Sequence, residues 1–219
     1  MGKQLTKVNE VYEYLMSELI ERRYKNGERL VISQISKKCN TSETPVREAL
    51  RMLESDGYVK ISANRGAIVV GFTRETILNI AEVKSVLGGY ATRVCIDYLS
   101  PNDIRELYNI NEQMHAALES NDVDLYSELN FRFHSTIYEH LPNADLLDLI
   151  HKVWNKWHFT TRVFSVTPQR MASSYQEHLT ILSMIEKKMY KEVEEYVRQH
   201  KSKALFDWSE DFPSETIIK

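Results

Sequence analysis

The feature that most constrains the fold is a helical spacing of apolar residues that runs from Thr73 almost to the end of the chain. Its interruptions are short: Ser100-Pro101 has the signature of a helix start, and Pro142 breaks the pattern. Seven glycines and five prolines among 219 residues leave little material for long loops. We therefore predict an all-α antiparallel bundle with helices near 74–99, 101–120, 122–141, 144–165, 174–189 and 191–208.

The first third of the chain has a different pattern. Apolar spacing within residues 8–20 predicts one amphipathic helix, and residues 30–35 predict the start of a second, short helix capped by Ser33. A third helix is well delimited, because Pro45 suits its first turn and Gly57 suits a left-handed C-terminal cap. The chain is therefore expected to be mainly α.

Two β-prone runs, VKI and AIVV, follow the third helix and flank a turn signal, SANRG. Three helices and a hairpin with short connections predict a winged helix-turn-helix over residues 1–72, followed by a helical domain over 73–219. Residues 1–72 hold 12 Lys and Arg against 9 Asp and Glu, and the remainder holds 16 against 22. The first domain is thus the better candidate for phosphate contact.

Several other classes of protein are disfavoured by composition. Cys39 and Cys95 lie outside any CxxC spacing, so neither a disulfide framework nor a cysteine zinc site is indicated. The N-terminus lacks the apolar core of a signal peptide, and no apolar run is long enough for a membrane span. We expect a cytoplasmic protein without a membrane partner.

With these elements placed, the sequence resembles the GntR family of bacterial regulators, in its FCD branch. The residues that carry the resemblance are SETPVREALRMLESDGYV at 42–59, the RGAIVV wing, FRFHSTIYEHLPN, the Glu177-His178 pair and His200. The resemblance implies a homodimer that binds double-stranded operator DNA under the control of a small-molecule effector. Two departures concern DNA readout: Glu43 and Ser33 stand where many relatives carry arginine.

The winged-helix geometry and the resemblance both direct the start of the third helix into the major groove. Arg47 is expected to contact guanine O6 and N7, Glu43 could accept a hydrogen bond from cytosine N4, and Arg65 could reach a flanking minor groove. The alternative for these cations, the lysine pair above all, is a solvated surface without a specific role. The predicted DNA-binding residues are Lys37, Lys38, Ser42, Glu43, Thr44, Arg47, Arg51, Arg65 and Gly66.

Three histidines, His134, His178 and His200, fall on three different predicted helices, and Asn130 lies one turn before the first of them. Imidazoles from separate helices suit a divalent transition metal such as zinc or nickel. The resemblance implies a site of one aspartate and three histidines, with Asn130 at the aspartate position. We expect this substitution to weaken metal binding and to favour a carboxylate effector that supplies the missing charge. The alternatives are an empty pocket, a histidine cluster that holds an anion unaided, or ordinary hydrogen-bonded histidines.

The predicted effector-binding residues are Lys84, at a position where relatives often have arginine, together with Tyr90, Trp157 and Arg162. The alternative for the aromatic residues is plain core packing.

Two other functions compete with the regulator. A metal-dependent hydrolase could use three histidines and an open coordination position. Its nearest candidate base, Glu177, belongs to a predicted capping box with Ser174 and, as the neighbour of His178, is expected to project elsewhere. We therefore predict that the protein is not an enzyme. The other alternative is a winged helix that binds protein, which would show no salt-dependent affinity for DNA.

Overall fold

A computed structural model of the chain describes residues 6–21, 23–62, 66–70, 74–160 and 168–210. The chain divides into two compact units, with the boundary between Arg74 and Glu75. Within the described residues, the first unit contains α1 (Lys7–Ile20), β1 (Arg29–Leu30), α2 (Ile32–Lys38), α3 (Glu43–Ser55), β2 (Val59–Ser62) and β3 (Gly66–Val69). The second contains α4 (Arg74–Cys95), whose first residue belongs to the first unit, followed by α5 (Pro101–Glu119), α6 (Val123–Tyr138), α7 (Ala144–Thr160), α8 (Arg170–Glu186) and α9 (Tyr190–Glu210). The predicted mainly α fold is confirmed.

The first unit is a winged helix-turn-helix. Helix α3 packs its apolar side against α1 and α2, and its buried residues are Val46, Ala49, Leu50 and Leu53. The helix ends as predicted, because Gly57 has a φ of +82°, a conformation in which other residues are strained. The chain then forms the hairpin of β2 and β3, whose strands pair antiparallel from Val59 with Val69 to Ser62 with Gly66.

Two predictions for this unit are wrong in detail. Leu30 does not begin a helix: it pairs with Ala67 in β1, which adds a third strand to the hairpin in the order β1-β3-β2. Ser33 does not cap α2, because the N-cap residue is Val31 and Ser33 lies inside the helix. Both errors have one cause, since a two-residue strand is defined by its partner across the sheet rather than by its own sequence.

The second unit is a helical bundle in which α5 packs against α6 and α8, and α8 against α9. Helix α5 begins as predicted, with a capping box between Ser100 and Asp103. Helix α8 begins earlier than predicted, at Arg170, so the predicted capping box at Ser174 is wrong: Ser174 is buried inside the helix. No helix among the described residues is long and apolar enough to cross a bilayer.

Candidate metal centre and nucleic-acid interface

Helices α6, α8 and α9 bring the three predicted histidines together. His134, His178 and His200 are all buried, and one ring nitrogen from each lies within 4.8 Å of one from each of the others. The Nε2 atoms of His134 and His200 are 3.3 Å apart. Asn130, partly buried, lies one turn before His134 on α6. Residues that are distant in the sequence thus form one buried nitrogen-rich cluster, which we call the histidine cluster.

A hydrogen bond with Asn111 on α5 sets the orientation of the His178 ring. The Nδ2 of Asn111 faces the carbonyl oxygen of Tyr175 at 3.5 Å, so its Oδ1 accepts from the Nδ1–H of His178 at 3.3 Å. Phe133 stacks on the imidazole at a centroid distance of 4.1 Å. The remaining nitrogen, Nε2, is buried without a hydrogen-bond partner within the described part of the chain. Its lone pair is therefore free to bind a ligand.

His200 is oriented by a carboxylate instead. Its Nδ1–H donates to Oε2 of Glu177 at 2.6 Å, which leaves the lone pair of Nε2 facing His134. The same carboxylate is ion-paired with the buried Arg170 and with Lys203, whose ammonium is 3.0 Å from Oε1. The expectation that Glu177 projects away from the cluster is therefore wrong. Glu177 lies one residue before His178 on α8, and the helix therefore directs its side chain differently. The side chain points toward α9, where it contacts His200.

The protonation states follow from these surroundings. Burial lowers the pKa of His134 and His178 well below the ordinary value, and it lowers that of His200 to about 4 although Glu177 acts in the opposite direction. Burial raises the pKa of Glu177, but hydrogen bonds from His200 and Arg170 outweigh it and hold the pKa at about 2. At neutral pH the cluster presents neutral imidazoles, the form that binds metal ions.

Aromatic residues and lysines border the cluster. The ring of Trp154 lies 5.9 Å from that of His134, and the ammonium of Lys84 lies 4.4 Å from the ring of Trp157 and 5.1 Å from that of Trp154. Two predicted effector residues, Lys84 and Trp157, are thus close to each other and reach the cluster through Trp154. Lys201 lies over the same indole and was missed from the sequence, because nothing in its local pattern marks it as buried.

The two other predicted effector residues are not placed at this site. Tyr90 is 43% exposed, and its ring lies 4.8 Å from the guanidinium of Arg93 on the same helix. Arg162 lies outside the described residues. For both, a role in effector binding stays a prediction.

The predicted DNA-binding residues around α3 lie on the protein surface. Arg47 is paired with Glu43 at 2.9 Å, and Arg51 with Glu48 at 3.0 Å; both arginine side chains are more than half exposed. Ser42 is the N-cap of α3, but its side chain makes no capping hydrogen bond. The exposed members of the predicted set are Lys37, Lys38, Ser42, Glu43, Thr44, Arg47 and Arg51.

At the wing, Gly66 is placed for a structural reason. Its φ is +82°, and a Cβ there would come within 2.6 Å of the carbonyl oxygen of Leu30 in β1. Glycine therefore allows β1 and β3 to approach. Arg65, at the predicted wing tip, lies outside the described residues.

Comparison with known proteins covers both units. Residues 79–202 match the model of the FCD domain, and residues 7–69 match that of bacterial regulatory proteins of the gntR family. The chain belongs to the GntR family. It is a DNA-binding transcriptional regulator of the FCD type, and the resemblance inferred from sequence is confirmed.

Similar proteins agree with this assignment. This GntR regulator is 26% identical over 191 residues to the HTH-type transcriptional regulator YdhC of Bacillus subtilis, covering 86% of this chain and 85% of YdhC. It is 25% identical to the gluconate operon transcriptional repressor of the same organism, over 83% of this chain and 73% of the repressor. The structure of E. coli McbR/YncC has the same fold, with a TM-score of 0.74 and 20% identity over 94% of this chain and 100% of McbR/YncC.

These relatives and domains are those of transcriptional regulators and not of enzymes. The hydrolase alternative finds no support among them. The proximity of Glu177 to the cluster is not an argument for a hydrolase. This carboxylate is already paired with a buried arginine, a lysine and a histidine.

Proposed function

We propose that this regulator binds operator DNA as a homodimer and that a small carboxylate effector, bound beside a divalent transition metal in the helical unit, controls this binding. Operator DNA would be held by the exposed face of α3. Because bacterial DNA lies in the cytoplasm, the proposal includes a cytoplasmic location. The observation that carries the proposal is the histidine cluster: three buried, neutral imidazoles from three helices, with at least one lone pair that has no partner among the described residues.

The fit to a metal rests on the chemistry of the donors. Asn111 and Glu177 each accept the Nδ1–H of one histidine, so the Nε2 atoms of His178 and His200 are available as ligands. His134 would complete a set of three nitrogens, which zinc and nickel both accept. When bound, such a metal supplies positive charge and open positions for an anionic ligand.

The amide of Asn130 supports a carboxylate effector. It lies one turn before His134, where an ionised side chain would help to neutralise a divalent metal, and it brings no charge. An effector carboxylate would supply that charge by binding the metal directly. The similar gluconate operon repressor makes sugar acids a reasonable first class of effector to test.

The proposed DNA contact is supported by the two sides of α3. One side is apolar and buried, and the other exposes Arg47 and Arg51. A two-fold operator requires two copies of this face, hence a dimer. Helix α4 exposes an apolar stripe, Val83, Val86 and Tyr90, in which each side chain is more than two-fifths exposed. An exposed stripe of this kind suits contact with a second copy.

The deciding experiment combines metal analysis with selection of DNA. Protein purified without a histidine tag should contain close to one zinc or nickel per chain, and it should select a two-fold symmetric duplex from a random pool. D-gluconate and related sugar acids should then change the affinity for that duplex. A metal-free protein that gains no thermal stability with zinc or nickel would refute the metal centre; failure to select any duplex would refute the DNA contact.

A further inference from the structure

Two lysines from different helices lie beside the histidine cluster. The ammonium nitrogens of Lys84, on α4, and Lys201, on α9, lie 5.1 and 5.0 Å from the centroid of the same indole, that of Trp154. Lys201 is only 5% exposed. Within the part of the chain that the structure describes, neither ammonium has a hydrogen bond or a carboxylate partner. Lysine is seldom buried without a partner, because removing a cation from water is costly.

The absence of a side chain at Gly88 makes room for Lys201. A Cβ on Gly88 of α4 would come within 2.5 Å of Cε of Lys201 and 2.7 Å of the hydroxyl of Tyr138. Glycine at this position therefore lets the lysine stem pass between α4 and α9. The ammonium then lies 5.7 Å from the ring centroid of Tyr138 and 5.0 Å from that of Trp154. Two aromatic faces thus fix the cation in place.

Glu177, the carboxylate that contacts the histidine cluster, is not paired with either of these lysines. Glu177 is already shared by Arg170, His200 and Lys203. The histidine cluster contributes imidazole nitrogens and no carboxylate, and Asn130 adds none of the charge that an aspartate would bring. Two lysines and a candidate metal centre therefore adjoin one another, and no carboxylate among the described residues pairs with either lysine. Burial lowers the pKa of Lys84 to about 7 and that of Lys201 well below its ordinary value, so an anion is needed to stabilise both as ammonium groups.

We infer that the effector carries two anionic groups, one directed at the histidine cluster and the other held by Lys84 and Lys201 beside Trp154. This inference rests on the proposed function and extends it by naming the charge of the effector and a new ligand-binding residue, Lys201. The class it selects is a dicarboxylate or a phosphorylated carboxylate rather than a simple monocarboxylate. An anion paired with both ammoniums replaces the water that burial has removed from them.

The test compares ligands of equal carbon number by calorimetry on the zinc-loaded, full-length protein. The pairs are succinate against butyrate and glucarate against gluconate; 6-phosphogluconate distinguishes phosphate from carboxylate as the second group. We expect the doubly charged member to bind at least about tenfold tighter. Lys201→Met, which keeps the apolar stem, should remove this preference by weakening the dianion far more than the monoanion.

Two further variants keep the result interpretable. Gly88→Ala should displace Lys201 without removing its charge and should also reduce the dianion preference. Lys191→Met, at an exposed position near the start of the same helix, should change nothing. Equal binding of mono- and dianions, or an unchanged preference in Lys201→Met, overturns the inference while the proposed function stands. If no carboxylate of either charge binds, the carboxylate effector of the proposed function fails with it.

Discussion

The two candidate sites of this regulator hold their charges in opposite ways. On α3, Arg47 and Arg51 pair with acids on their own helix in full contact with water, and an exposed pair of this kind stabilises a protein by only about 0.3 to 0.5 kcal/mol. In the bundle, Arg170, Glu177 and His200 come from two helices and are almost fully buried. Removing one partner of a buried pair costs about 3 to 5 kcal/mol. The exposed ion pairs on α3 can be exchanged for contacts with DNA at little cost. The buried network instead holds His200 in a fixed orientation.

The largest effect should come from breaking the buried network. Glu177→Gln removes the charge that Arg170, His200 and Lys203 share, and we expect the free energy of unfolding to fall by about 3 kcal/mol. Urea denaturation of EDTA-treated protein measures this without a contribution from metal. The matched control is Glu48→Gln, which breaks the exposed pair with Arg51 and should cost no more than about 0.5 kcal/mol. Similar losses in both variants would erase the contrast between the two sites.

Metal removal should have the next largest effect and should act on one site alone. Dialysis against a chelator should lower the melting temperature, and zinc at 100 times its dissociation constant should restore about 2.7 kcal/mol. His178→Ala should abolish the response to zinc, whereas His151→Ala, at an exposed position on α7, should retain it. Differential scanning calorimetry provides both values. A zinc response that survives in His178→Ala would place the metal elsewhere.

Arg47→Ala should reverse the pattern, with a large effect on DNA and little on stability. Loss of a bidentate contact with guanine should reduce affinity for the selected operator by about 1 to 3 kcal/mol. Because the side chain is exposed, unfolding should change by less than about 0.5 kcal/mol. Arg51→Ala should weaken all sequences alike and reduce the log–log salt slope by about 0.9. Fluorescence anisotropy across a salt series separates the two arginines, and equal effects on specific and random DNA would contradict the role of Arg47.

The smallest effect concerns Glu43, whose ion pair with Arg47 would compete with the proposed DNA contact. Glu43→Gln removes repulsion of phosphate and the ion pair that occupies the arginine, so affinity should rise by about twofold to fivefold at low salt, or up to about 1 kcal/mol. If Glu43 instead accepts from cytosine N4, the variant should bind more weakly, and only to operators with that cytosine. Competition between operator variants in anisotropy measurements decides between these outcomes.

The sequence predicts well what local chemistry determines. Ser100 and Gly57 mark a helix start and a helix end, and both predictions hold because the cap is formed by residues within a few positions. The three histidines were also identifiable, because each lies on a separate, strongly periodic helix. Their convergence then follows from the packing of that bundle.

What the sequence does not predict is set by partners from other helices. Asn111 orients His178 from 67 positions away, and its own segment gives no sign of this. Ser174 and Glu177 have the spacing of a capping box, yet tertiary contacts determine their environment: the serine is buried, and the glutamate pairs with Arg170 and His200. Lys201 is similar, since only the space above Gly88 allows it to be buried.

The composition of α3 bears on how such a regulator changes over generations. Its packing depends on Val46, Ala49, Leu50 and Leu53, whereas the exposed residues that we propose to contact DNA contribute almost nothing to the core. If that proposal holds, mutations at Glu43 or Arg47 can redirect the protein to a new promoter without a loss of fold. A lineage could keep one sensor and rewire its target genes, one exposed residue at a time.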